Sequence, residues 1–141
     1  MRVLALDYGS ARCGVAVCDP TETIVTPLAP VLAAATRAGI GGLAALVAER
    51  EAACVVVGLP LSLSGGETAQ TAETRAFAGR LERRLGDHVE VVLHDERLTT
   101  RLAARDPSTQ ASEDSRAAAH LLEDWLARRE RQASAGHGTS G

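Results

Sequence analysis

Arg2-Val3-Leu4-Ala5-Leu6-Asp7 opens the chain, the turn Gly9-Ser10-Ala11-Arg12 follows, and Cys13-Gly14-Val15-Ala16-Val17-Cys18 runs on from it. The first run is almost wholly apolar and ends on an acid. The second is apolar throughout, and the link between them is too short for a crossover. Two such runs around a glycine turn read as an antiparallel hairpin. Everything further along the chain is read here as what extends and covers that hairpin.

Residues 22–31 alternate loosely around Ile24, Pro27 and Val31. They predict a third strand, placed at an edge because proline cannot donate to a ladder. Then the period changes. Ile40, Leu43, Leu46 and Val47 recur at helical spacing within 37–51. Residues 53–58, Ala-Cys-Val-Val-Val-Gly, form a short run of the kind buried on both faces of a sheet. After a polar loop over 59–67, Ala69, Ala72, Ala76, Phe77 and Leu81 mark a helix over 68–85. Residues 89–94 predict a fifth strand and 97–105 a short helix. A last helix over 113–130 carries the stripe Ala117, Ala118, Leu121, Leu122, Trp125 and Leu126. The order β-β-β-α-β-α-β-α-α predicts an α/β fold. Its five-stranded mixed sheet has three antiparallel strands, then alternating β/α units, with helices on both faces.

At 141 residues the chain is one domain. That domain is expected over 1–131, with the small polar residues of 132–141 as a disordered tail. With one Phe, one Trp and one Tyr, the core must be built from Ala, Val and Leu. Cys13, Cys18 and Cys54 sit inside apolar runs and form no CxxC pair. That spacing excludes a zinc site and leaves buried thiols. No apolar run approaches the roughly 18 residues of a membrane span, and Asp7 and Arg12 interrupt any signal-peptide pattern. A cytoplasmic protein with no membrane partner is expected. All 15 basic residues are Arg and the net charge is −3, so nucleic-acid binding has to rest on local Arg clusters rather than on the total.

The carboxylates fall at telling places. Asp7 ends the first strand, Asp95 and Glu96 follow the fifth, and Asp114 lies in the first turn of the last helix. Strand ends are where open α/β sheets carry their sites. If the first and fifth strands lie near each other, acids from distant sequence converge. Clustered carboxylates repel one another and need a cation, and oxygen-only ligands favour Mg²⁺ or Mn²⁺. Such ions can activate water and stabilise a leaving oxygen at a phosphodiester. Taken singly, each acid reads equally well as a solvated strand end or, for Asp114, as an acid favoured in a first helical turn.

The run Leu4 to Asp19, with Asp7, Gly9, Arg12, Gly14, Ala16 and Asp19, resembles the opening of the YqgF family, the Holliday junction resolvase-like or pre-16S rRNA nuclease family. So do Val57-Gly58-Leu59-Pro60 before Gly65-Gly66, Asp95-Glu96-Arg97-Leu98-Thr99-Thr100, and Asp114 ahead of Ala117, Ala118 and a Leu-rich helix. The resemblance covers about residues 2–127. It implies an RNase H-like fold related to the RuvC resolvases, and a nuclease acting in 5′-end maturation of the small-subunit rRNA precursor. It also gives Asp7, Glu96 and Asp114 the metal-ligand roles. Successive strand residues point to opposite faces, so Asp95 and Glu96 cannot both aim at one metal without a bend. Glu96 is taken as the ligand and Asp95 as its supporting neighbour.

Arg12 and Arg97 are each read as a phosphate contact or as the partner of an acid. Ser64, Gly65 and Gly66 belong to a loop whose backbone N–H groups could face an anion. The plainer reading is a connector, with Glu67 or Thr68 capping the next helix. The Gly39-Ile40-Gly41-Gly42 cluster reads as a weak helix start. His88, His94 and His120 are read as surface or packing residues. Family members often carry Lys and Gly before the last acid. Here Pro107 to Glu113 has no base, so phosphate binding would fall to Arg101, Arg105 and Arg116.

Two other classes compete. One is a nuclease-like module that binds RNA or a transcription factor without cutting. The other is a piece of the actin and sugar-kinase superfold, which needs two lobes and more residues than this chain has. Within the nuclease class, a branched DNA junction is the alternative to structured RNA. Resolving a two-fold junction takes a dimer, and no dimer surface is evident in the sequence, so a monomer or weak homodimer is expected.

Overall fold

The computed structural model describes residues 1–98 and 113–139, with side chains over 1–97 and 115–133. Strand β1 (Val3–Asp7) pairs antiparallel with β2 (Arg12–Cys18) and parallel with β4 (Cys54–Leu59). β3 (Val25–Leu32) closes the antiparallel side and β5 (Glu90–Asp95) the parallel side. The order is β3-β2-β1-β4-β5. β1 is central and the proline-bearing β3 is an edge, as the sequence predicts. β1 and β5 are not neighbours, however, because β4 lies between them. Cys54 to Leu59 is buried throughout, and two paired neighbours plus helices on both faces are what such a run requires.

The parallel pairs need crossovers. α1 (Arg37–Glu49) leads into β4 and α2 (Ala69–Leu85) leads from β4 to β5. Both steps move the same way across the sheet, so right-handed crossovers put both helices on one face. There Ile40, Leu43, Val47, Phe77 and Leu81 pack on Leu4, Leu6, Val15, Val55 and Val57. α3 (Glu113–Thr139) covers the other face, with Ala118, Leu121 and Leu122 against Val3, Ala5, Ala16, Cys54 and Val56. Side chains that alternate between the two faces along β1 and β4 are thus sorted to one helix layer or the other.

Thr36 caps α1, its hydroxyl accepting from the Gly39 N–H at 3.0 Å, so the glycine cluster lies inside the helix behind its cap. Thr68 caps α2 in a capping box with Thr71. The buried Thr71 hydroxyl also donates to the Pro60 carbonyl, which ties the start of α2 to the exit of β4. The three cysteines are buried. Burial pushes the Cys54 thiol up to about 11, well above the range where it would ionise.

α3 runs on to Thr139, past the expected end at 130, because a helix already anchored on the sheet extends without a new nucleation cost. The short helix expected over 97–105 starts instead as a 3₁₀ turn, Glu96–Leu98, and its remainder lies outside the described residues, as does the loop over 107–112. No helix among the described residues is long and apolar enough to cross a membrane.

Candidate active site

The carboxyl ends of β1, β4 and β5 share one rim of the sheet. On β1, Val3 and Ala5 face α3 while Leu4, Leu6 and Tyr8 face α1 and α2. By that alternation Asp7 belongs to the α3 side. Tyr8, on the other side, stacks on Phe77 with ring centroids 4.3 Å apart and so fixes the strand end to α2. Asp7 itself pairs across the hairpin with Gly14.

Glu96 reaches the same side by a different route. On β5, Val92 packs with the α3 layer and Leu93 with the α1–α2 layer. Asp95 therefore falls to the α1–α2 side and Glu96 to the α3 side. Gly58 shows where the carboxyl goes. A Cβ added to Gly58 would stand 2.6 Å from Glu96 Oε1 and 2.8 Å from its Cγ. Gly58 follows Val57, which pairs with Leu6, so it stands beside Asp7 on the intervening strand. The Glu96 side chain thus lies across a strand that has no side chain there, toward Asp7. Strand order had separated the two acids; a glycine lets one of them cross.

Asp114 stands in the first turn of α3. Its side chain lies outside the described residues, but its neighbour Ser115 is placed closely. Ser115 is fully buried, accepts from the Val15 N–H at 3.3 Å and donates to the Leu28 carbonyl at 2.6 Å. Val15 adjoins Gly14, the partner of Asp7. The backbone of α3 therefore begins over the Asp7 end of β1. Among the described residues no group of three His, Cys, Asp or Glu side chains could hold a metal ion. A third donor would have to come from Asp114.

Asp95 has another occupation. Its carboxylate accepts from the Arg97 backbone N–H at 2.9 Å and from Arg97 Nε and Nη2 at 3.1 and 2.6 Å. Those bonds hold it below the usual carboxylate range. Arg97 Nη1 donates to the Leu63 carbonyl at 3.2 Å. Of the two readings of Arg97, the structure displays the acid pair. Arg12, by contrast, is exposed at the start of β2 with no ion-pair partner among the described residues.

The loop amides are taken up within the loop, as the connector reading expects. The Gly65 N–H donates to the Ser62 carbonyl at 2.8 Å and the Gly66 N–H to Ser62 Oγ at 2.9 Å. Ser64 Oγ lies 3.0 Å from Ser62 Oγ. These amides close the turn on itself rather than facing an anion, and Gly65 is there because its φ is +91°. His94 packs as expected, its Nε2 lying 2.8 Å from Asp124 on α3. Sequence reading noted Gly58 only as part of the Val57-Gly58-Leu59-Pro60 motif, without a role, and passed over Ser115. A lone glycine ending an otherwise β-branched strand was the available signal for Gly58; Ser115 carried none beyond being small and polar at the head of an apolar stripe.

The sequence matches the family described as RuvX, Holliday junction resolvase, over residues 1–128. A protein of Maridesulfovibrio salexigens named "Putative pre-16S rRNA nuclease" is 36% identical, over 91% of this chain and 99% of its own length. One of the same name from an Anaeromyxobacter species is 40% identical, over 89% and 96%. The fold is similar to that of T. thermophilus RuvC in complex with a Holliday junction substrate. That match has a TM-score of 0.58 at 14% identity and covers 92% of this chain and 96% of that one. A likeness at that identity speaks for the RNase H-like fold alone. The family match and the relatives span nearly the whole chain, so this protein belongs to the RuvX (YqgF) family of Holliday junction resolvase-like nucleases.

Proposed function

We propose that this protein is a cytoplasmic, divalent-metal-dependent nuclease that hydrolyses phosphodiester bonds in structured nucleic acid. Its substrate is the 5′ end of the 16S rRNA precursor, and it acts as a monomer or weak homodimer. The observation that carries this reading is the Glu96 carboxyl lying across Gly58 toward Asp7, on the face where α3 begins with Asp114. The names of the relatives support the choice of substrate.

The donor set fits a hard cation. Asp7, Glu96 and Asp114 offer only oxygen, the chemistry of Mg²⁺ or Mn²⁺, and the missing Cβ of Gly58 leaves space between the first two. When bound, such ions supply an acidified water and charge stabilisation at the leaving oxygen. The chain's own part is placement. Asp7 is held by a strand paired on both sides, Glu96 by its rest on Gly58, and Asp114 by the anchoring of Ser115. Arg12 offers an exposed guanidinium to the substrate's phosphates.

The test is cleavage by purified protein of precursor rRNA and of a four-way DNA junction, side by side. Asp7→Asn and Glu96→Gln should each lose about 10²-fold or more in rate and the thermal shift induced by Mg²⁺ or Mn²⁺. Asp7→Asn should melt at or above the wild-type temperature without metal, because one repelling charge is gone. At saturating metal Asp95→Asn should keep most activity, because its Oδ1 still accepts the Arg97 N–H. An Asp7→Asn protein that cuts as well as wild type overturns the mechanism. Preference for the junction would move the substrate to DNA, and binding without cutting would make the protein a non-cleaving module.

A further inference from the structure

Glu96 follows the last paired residue of an edge strand, since Asp95 pairs with Leu59 and the ladder ends there. It then opens a single 3₁₀ turn. No ladder bond holds it, yet its carboxyl rests at one spot over Gly58. We infer that Asp95 and Arg97 form a tie that holds Glu96 and the 62–66 loop as one body, so that Arg97 is a positioning residue for Glu96. The metal side of this inference rests on the reading of Glu96 as a ligand.

The tie has two halves. Asp95 Oδ1 accepts the N–H of the residue two further on, a turn closed over Glu96 itself. The same carboxylate takes Arg97 Nε on both oxygens at 3.1 Å, and Nη2 on Oδ2. The fork geometry of a guanidinium leaves Nη1 pointing away from that pair. Nη1 meets the Leu63 carbonyl at 3.2 Å and lies 3.3 Å from where a Cβ on Gly65 would stand. The loop it meets is already a closed unit. Ser62 N–H donates to Gly66 O, Gly65 N–H to Ser62 O, and Gly66 N–H to Ser62 Oγ. A closed loop docked on Arg97, and a turn over Glu96 closed by the same Arg97–Asp95 pair, move together or not at all. The loop also presents Leu63, 97% exposed, at its tip.

Alternation sets Asp95 on the face opposite Glu96, which is why the neighbouring acid can serve the tie without reaching a shared ion.

The experiment compares wild type, Arg97→Ala and Asp95→Ala. Amide exchange at Gly65 and Gly66, measured without metal, should speed up about tenfold in Arg97→Ala, the effect of losing one such bond. The Mn²⁺ concentration at half of the full thermal shift should rise about tenfold in both variants. The metal-free melting temperature should stay within a few degrees of wild type, a combination that a merely structural role would not produce. Unchanged exchange with an unchanged Mn²⁺ midpoint overturns the tie. So does a loss confined to nucleic-acid affinity with a shallower salt dependence, which would make Arg97 a phosphate contact. If Glu96→Gln retains the Mn²⁺ shift, the metal reading fails separately. Exchange at Gly65 and Gly66 then decides the tie alone, faster exchange supporting it and unchanged exchange overturning it.

Discussion

At Gly58 the atoms a methyl group would strike, Glu96 Oε1 and Cγ, belong to a flexible side chain rather than to backbone. The clash of Gly58→Ala is therefore relieved by moving Glu96. Alanine is also the better residue for a strand interior by roughly 0.5–1 kcal/mol, through its smaller loss of backbone entropy. Stability by urea unfolding should thus stay within about 1 kcal/mol of wild type. Cleavage should fall at least about tenfold, and the Mn²⁺-induced thermal shift should weaken with it, because the carboxyl has been pushed from Asp7. A Gly58→Ala protein of normal activity would mean that the position of Glu96 over β4 is irrelevant to the reaction.

Among the elements, α3 is the one whose first turn is tied to the sheet by a buried hydroxyl, that of Ser115. The register of β2 against β3 shifts between Cys13 and Val15. At that irregularity the Val15 N–H and the Leu28 carbonyl both turn to the hydroxyl of Ser115. Apolar packing through Ala118, Leu121 and Leu122 brings the helix to the sheet, but apolar contact is non-directional and does not fix where along the sheet a helix begins. The Ser115 hydroxyl fixes the first turn, and His94–Asp124 and Arg129–Glu22 hold the helix further along. Ser115→Ala should cost about 1–3 kcal/mol in denaturant unfolding, since the buried Val15 N–H and the half-buried Leu28 carbonyl lose their partner. Its cleavage rate under fully folded conditions should drop as well, because Asp114 is the preceding residue. Full activity in a destabilised Ser115→Ala protein would separate α3 register from the site.

For the whole molecule, electrostatics poses the question. A chain of net charge −3 has no overall field to draw in a polyanion. Contact must come from cations at the rim, with Arg12 exposed beside the Asp7 end of the hairpin. Affinity for RNA should then fall with salt at a log–log slope of about −0.7 to −0.9 per phosphate contacted. Arg12→Ala should weaken binding of all sequences alike and lower the slope by about one contact. Fluorescence anisotropy across a salt series measures both. A slope near zero would point to a protein partner in place of nucleic acid.

The sequence by itself determined what depends on neighbours along the chain. Apolar runs gave the strands, Pro27 placed β3 at an edge, and the change from period two to helical spacing gave α1 and α2. Alternation along a strand is set by covalent geometry, so the division of Asp95 and Glu96 between two faces could be read before any fold was known. Only the tertiary structure decided what depends on pairing at a distance. Strand order puts β4 between β1 and β5, and that order follows from burial and crossover handedness over the whole sheet. It turns Gly58 from a strand-ending glycine into the gap through which Glu96 approaches Asp7. Loop closure likewise turns Gly65 and Gly66 inward and gives Arg97 to Asp95 and Leu63. An N–H or a guanidinium has the same chemistry in either role; which acceptor lies within hydrogen-bond reach is a fact of three dimensions.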